Sequence, residues 1–287
     1  MRIGIIGRGF VGGSIEKHLK NNTYHDVKSF DVNDNTTIND GYKYIVCRSE
    51  IIYLCLPTPM DSEGRCCTDI VDNAVSLIDY YSKKALKKSL VLLKSTMVPN
   101  TTDGLNEKYK NVICITNPEF LTERTAYEDM VNAKTHVLGF PEKVEGKEEI
   151  IYLIENFHKN VWPDADVYNV SSTEAELIKY MTNTFYALKV TYANHIYMLA
   201  HALGIDYSAF IESAVASDPR LGDMHWNVPG PDGNLGFGGK CFPKDLNGMI
   251  KLFEENNLNC DMLKSVWEYN SNIREQKDWL KILGAVI

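Results

Sequence analysis

The chain has no run that approaches the ~20 consecutive apolar residues of a membrane-spanning helix. It has no C-x-x-C pair and no Cys/His cluster at zinc spacing, so the expected metal complement is none. It has no internal repeat and no low-complexity tract. Positive charge is in deficit: 30 Lys and Arg stand against 38 Asp and Glu, for a net charge of -8 and a pI near 5.4. That balance argues against nucleic acid or an anionic membrane as partner, while leaving room for a small anion at a local site. The apolar run Ile3 to Ile6 is too short for a signal peptide and reads as a strand. Seven cysteines, an odd number with no secretion signal, are expected to stay reduced, and a soluble cytoplasmic protein is the expectation.

What is present is globular. Of the 287 residues 44% are hydrophobic and 24% charged, enough for one large or two ordinary domains. After the strand at 2–6 comes Gly7-Arg8-Gly9-Phe10-Val11-Gly12, then a helical stretch through about Leu19. Strand, G-x-G-x-x-G and helix in that order form the dinucleotide-binding fingerprint, in which glycines close the turn and admit a pyrophosphate to the helix N-terminus. The strand Val27–Phe30 ends in Asp31, about 20 residues past the last glycine, where a ribose-binding acid belongs. A carboxylate there repels a 2′-phosphate and so favours NAD over NADP.

Further apolar strands are expected at 51–56, 90–94 and 112–115, with a helix over 69–82. Their continuous apolar character predicts a parallel sheet covered on both faces. Between Asp31 and residue 51 there is room for one short helix or a loop. Ligands bind beyond the carboxyl ends of such strands, which places Thr58, Thr96, Glu119 and Glu123 along one crevice.

From 171 the pattern changes. Ser171 and Glu174 have capping-box spacing, and neither Pro nor Gly follows until Gly204. Apolar residues recur at 177, 181, 185, 188, 192, 196, 199 and 203, predicting one amphipathic helix of roughly 50 Å. A helix that long exceeds one domain's needs, so part of its apolar stripe is expected to meet another subunit in a homodimer. Lys179 and Asn183 stand four residues apart on its flank. Helices are expected at 206–217, at 245–257 and from about 261 to the end. The fold class is therefore α/β: an N-terminal Rossmann-like parallel sheet over 1–170, and a C-terminal all-helical domain over 171–287, connected by the long helix.

The densest chemistry lies in Gly236-Phe237-Gly238-Gly239-Lys240-Cys241-Phe242-Pro243-Lys244-Asp245. Three glycines let the backbone pass close to a ligand or to other backbone. Pro243 can open a helix at its first turn, and a helix N-terminus favours thiolate over thiol at Cys241. Asp245, four residues on, falls within one helical turn of the cysteine.

These residues resemble the UDP-glucose/GDP-mannose dehydrogenase family. Gly236 to Asp245 is similar to its nucleophile motif. Gly7 to Gly12, Pro57-Thr58-Pro59, Lys94-Ser95-Thr96, Pro118-Glu119-Phe120-Leu121, Glu176 to Asn183, and Ser217 to Gly222 match other blocks in the same order. The loop Pro229 to Gly233 matches as well, and the likeness runs to about residue 275. The resemblance implies oxidation of a nucleotide-sugar primary alcohol to a uronic acid in two NAD-dependent hydride transfers, UDP-glucose to UDP-glucuronate being the leading case. It implies Cys241 as the nucleophile of a thiohemiacetal and then a thioester, Lys179 and Asn183 as oxyanion donors, and Asp245 as base. Thr96 and Glu123 would lie near the hydrolytic water, with Glu119 a second carboxylate there. The NAD site would take in Gly7, Gly9, Phe10, Val11, Gly12, Asp31, Pro57, Thr58, Thr96 and Glu123. The substrate would be held by Phe120, Leu121, Lys179, Asn183, Arg220, Phe237 and Gly238. The pattern departs in three places. The likeness stops short of the family's third, nucleotide-completing domain, the segment after Asp31 is short, and Thr135 stands where an arginine is usual. Two other classes compete: a β-hydroxyacid dehydrogenase, which shares the Lys-x-x-x-Asn pair but does not need Cys241, and a non-catalytic NAD-binding partner subunit.

Overall fold

The computed structural model describes every residue except Leu283. The chain divides into two compact units, one of Met1–Thr58 with Thr68–Lys179 and one of Pro59–Cys67 with Tyr180–Ile287.

The first unit opens with β1 (Arg2–Ile6), α1 (Phe10–Asn22), β2 (Asp26–Phe30), α2 (Ile38–Arg48) and β3 (Ile51–Leu54). It continues through α3 (Asp69–Lys84), β4 (Ser89–Leu93), α4 (Thr101–Lys108) and β5 (Val112–Thr116). Then come α5 (Ala126–Val131), β6 (Thr135–Phe140), α6 (Lys147–Val161) and β7 (Asp166–Ser171). The strands form one seven-stranded sheet in the order β2-β1-β3-β4-β5-β6-β7. Alternation along each strand splits its side chains between two cores. Ile3, Ile5, Ile51, Tyr53, Leu92, Ile113 and Ile115 face the core shared with α1 and α6. Ile6, Ile52, Leu54, Val91, Leu93, Val112 and Cys114 face the one shared with α2, α3 and α4. Both faces are covered, which is why these strands read as unbroken apolar runs.

The first five strands are parallel. These strands form the parallel sheet expected from the sequence; β6 departs from it, meeting β5 antiparallel at the single pair Thr116↔Gly139, while β7 runs parallel to β6. The segment after Asp31, with room for one short helix or a loop, forms a helix, α2. The strand expected over 51–56 ends at Leu54, ahead of Pro57-Thr58-Pro59.

α7 (Ser172–Ala202) carries the chain from the first unit into the second over 31 residues. Its start is the expected capping box: Ser171 N–H and Oγ donate to Glu174 Oε2 at 2.8 and 2.7 Å, and Glu174 N–H donates back to Ser171 Oγ at 3.2 Å. The second unit holds α8 (Tyr207–Ser217), α9 (Phe242–Glu255) and α10 (Asp261–Ile273). The last helix is shorter than expected. It stops at Ile273, and Arg274 leaves with extended backbone; Leu283, inside the stretch expected to be helical, lies outside the described residues. The small side chains Ala187, Ala193 and Ala200 of α7 are buried. Of the large apolar side chains Tyr180 is buried, whereas Leu177, Met181, Phe185, Tyr192, Met198 and Leu199 are exposed in the single chain.

Candidate active site

The order of the sheet reverses between β1 and β3, and the glycine turn sits at the carboxyl ends of these strands, the ligand position of such folds. Gly7 has φ +89°, and a Cβ there would lie 2.3 Å from the carbonyl oxygen of Cys55. A Cβ on Gly12 would lie 1.9 Å from the Gly7 carbonyl, so the turn closes only with glycine. A Cβ on Gly9 would meet nothing within 4 Å: that position borders open space at the N-terminus of α1, which begins at Phe10 and Val11. Asp31, at the end of β2, accepts the Arg8 N–H at 2.6 Å and the Asn33 N–H and amide at 3.1 and 2.8 Å. Burial pushes its carboxyl up, but these donors prevail and hold it below the usual aspartate value. An ionised carboxylate, a glycine cradle and an open helix N-terminus fit a dinucleotide with a free 2′-hydroxyl.

Beyond β3, β4 and β5 the first unit gathers more polar groups. Thr58 Oγ1 donates to the Thr96 carbonyl at 2.7 Å, next to Pro57. Lys179, in the second turn of α7, pairs with Glu119 at 3.3 Å, and both are buried. Its ammonium also lies 5.3 Å from the Phe120 ring centroid. The other Glu119 oxygen accepts the Leu121 N–H at 2.7 Å. Glu123 opens the 3₁₀ turn Glu123–Thr125 and is exposed, outside this buried pair.

In the second unit Cys241 is the N-cap of α9, with Pro243 in its first turn. The helix begins one residue before the proline, at Phe242, and the Asp245 N–H closes onto the Cys241 carbonyl at 2.8 Å. Cys241 is half-buried and Asp245 wholly buried. One Asp245 oxygen takes the Lys244 ammonium and the other takes Asn183 Nδ2 at 2.5 Å. Phe237 is buried. Arg220 is exposed and locked bidentate onto its neighbour Asp218, at 2.8 and 2.7 Å.

Among the described residues, three buried ionisable groups inside the matched motifs had no role assigned from the sequence. Lys94, at the end of β4, donates to Asn117 Oδ1 at 3.2 Å and to the Pro118 carbonyl at 3.4 Å, and burial pushes its ammonium down to about 8. Lys244 is also buried; burial alone would lower it, but Asp245 holds it well above the usual lysine value. Glu176 accepts the N–H and hydroxyl of Thr102 at 2.8 and 2.7 Å, and burial raises it to about 7. The signal for each was its place inside a matched motif: Lys94-Ser95-Thr96, Pro243-Lys244-Asp245, and Glu176 to Asn183.

A Rossmann-like sheet with this glycine turn, followed by a long helix and a helical region, defines a dinucleotide-binding fold. Residues 33–158 match the NAD binding domain of the UDP-glucose/GDP-mannose dehydrogenase family, and 173–272 match that family's central domain. The chain belongs to this family and carries its NAD-binding domain. It is 32% identical over 256 residues to an uncharacterized protein of Methanocaldococcus jannaschii, covering 88% of this chain and 27% of that protein. It is 28% identical over 239 residues to the UDP-glucose 6-dehydrogenase YwqF of Bacillus subtilis, covering 81% of this chain and 51% of that enzyme. A UDP-glucose dehydrogenase structure from Pyrobaculum islandicum superposes with a TM-score of 0.80 at 26% identity, covering 94% of this chain and 68% of that one. The chain thus spans about half the length of the curated UDP-glucose 6-dehydrogenase it matches. Among the described residues no helix is long and apolar enough to cross a membrane.

Proposed function

We propose that this chain oxidises the primary alcohol of a nucleotide sugar, UDP-glucose first among the candidates, to the uronic acid through a covalent intermediate on Cys241. The observation that carries the reading is the placement of Cys241 at the N-cap of α9, one turn from the buried Asp245–Asn183 hydrogen bond. The glycine turn Gly7 to Gly12 and Asp31 would hold NAD, one molecule for each of the two hydrides that leave the substrate carbon. The helix N-terminus favours the thiolate, which adds to the intermediate aldehyde and forms the C–S bond of a thiohemiacetal. Lys179 and Asn183 donate to the oxygen that gains negative charge, each such donor typically lowering the barrier by ~3–4 kcal/mol. Loss of the second hydride leaves a thioester; water adds to it, the C–S bond breaks, and Cys241 returns as thiolate. Asp245, Thr96 and Glu123 handle the protons of alcohol and water, and Glu119 holds the Lys179 ammonium in place. Phe120, Leu121, Phe237, Gly238 and Arg220 hold the sugar nucleotide, Arg220 after leaving Asp218. The chain works as a homodimer through the exposed apolar face of α7, in the reducing cytoplasm that keeps its thiols reduced. A panel of UDP- and GDP-sugars with NAD, followed by absorbance at the NADH band, tests the reading. NADH formation with at least one sugar is expected, and silence across the panel contradicts it.

A further inference from the structure

The segment that delivers Cys241 is rich in glycine and has little intrinsic stiffness. Its shape is imposed by side chains from elsewhere in the second unit. Gly236 N–H donates to Asn194 Oδ1 at 3.1 Å, Phe237 N–H to Asn270 Oδ1 at 2.7 Å, and Gly239 N–H to Asp278 Oδ2 at 3.0 Å. Asn270 closes a second bond to the Phe237 carbonyl at 3.0 Å. The third anchor, on Gly239, stands only two residues before the cysteine.

Asp278 is itself held. Its other oxygen takes Arg274 Nη2 at 3.0 Å, and the same nitrogen bonds Asp232 Oδ2 at 2.5 Å. Arg274 Nε donates to the Gln276 carbonyl at 2.9 Å. The Arg274 side chain is 1% exposed, although nothing in its sequence position marks it as buried. A Cβ added to Gly238 would stand 2.2 Å from Arg274 Nη2, so the backbone passes directly over the guanidinium. Only the planar, many-donor fork of arginine meets two carboxylates and a carbonyl at once; a lysine ammonium is a single point.

We propose that Arg274 and Asp278 are positioning residues for Cys241, forming a clamp behind the glycine segment that fixes where the sulfur sits. The proposal rests on the reading of Cys241 as nucleophile. It accounts for Gly238 as the residue that must lack a side chain for the clamp to close, and for Asp278 as the link from guanidinium to loop.

Arg274→Lys keeps the charge and loses the fork, and Asp278→Asn keeps an acceptor oxygen and loses the charge. For each, three quantities are measured: kcat and KM, melting temperature, and peptide-resolved alkylation of Cys241 by iodoacetamide, with exposed Cys47 as internal reference. In Arg274→Lys, kcat is expected to fall at least about tenfold, within the ~100-fold that a ~1 Å misplacement costs. KM for sugar and NAD should stay within about twofold, and the Cys241/Cys47 alkylation ratio should shift at least about threefold. Asp278→Asn should move the same quantities in the same direction by less. Folded variants with wild-type kcat and wild-type alkylation ratio overturn the proposal, as does a fall in kcat that merely tracks the folded fraction. If the wild type makes no NADH from any sugar, the functional reading fails, while the alkylation ratio still decides the positioning.

Discussion

Lys179 and Glu119 show how the site's charges depend on each other. Both are buried, and the ammonium lies 3.3 Å from the carboxylate. Removing one partner leaves a charge out of water without a counter-ion, which typically costs about 3–5 kcal/mol. Lys179→Met should therefore lower the free energy of urea unfolding by about that much, and adding Glu119→Gln should recover most of it. Additive losses in the double variant would show that the pair is not coupled. Lys179 was picked out in the sequence by its spacing from Asn183 and its motif, and Cys241 by its glycines and proline. Lys94, Lys244, Glu176 and Arg274 were not singled out, because a charged side chain is exposed by default and its burial depends on elements far along the chain.

At the scale of elements, α1, β6 and α6 meet through three buried histidines around Trp162. His18 stacks on Trp162 at 5.0 Å, His136 lies 4.5 Å from the same ring, and His158 lies 5.1 Å from His136. All three Nε2 atoms are buried with no hydrogen-bond partner. Burial lowers all three, His136 to about 2 and His158 to about 4, and Lys94 at the end of β4 adds to the shift of those two. Folded values below the free value of 6.5 mean that the unfolded chain binds these protons first. Stability from this cluster is thus full above about pH 6.5 and is lost as pH falls toward 4, by up to about 1.4 kcal/mol per pH unit for each histidine. Glu176, raised from 4.5 to about 7, works oppositely: its contribution is full below 4.5 and fades as pH rises through 7. His158→Gln should flatten the acid side of the stability curve by about one proton's slope, and an unchanged slope would remove His158 from the account. Neither β6, α6 nor β7 was legible in the sequence. β7 is an edge strand with mostly exposed or half-exposed residues, so it lacks the apolar run that marked β1, β3, β4 and β5. The reversal at β6 rests on a single ladder pair and on Asn117 Nδ2 donating to the Val137 carbonyl at 3.0 Å, contacts that no local pattern encodes. The boundaries of α7, by contrast, follow from a capping box and a gap without Pro or Gly.

For the whole molecule, the long helix predicts association. Six large apolar residues of α7 are exposed on the single chain, where solitary proteins rarely keep a contiguous apolar surface. Light scattering should give twice the chain mass of 32.5 kDa, and Phe185→Glu should shift it toward one chain. A monomeric wild type at micromolar concentration would contradict the dimer. The central claim is that one site carries the alcohol through two oxidations with the carbon held on Cys241. The most direct measurement is the ratio of NADH formed to nucleotide sugar consumed, in the wild type and in Cys241→Ser. The account predicts two NADH for each sugar converted to uronic acid, and no uronic acid from Cys241→Ser. One NADH per sugar with free aldehyde as product, or an unchanged acid yield without the thiol, would contradict it.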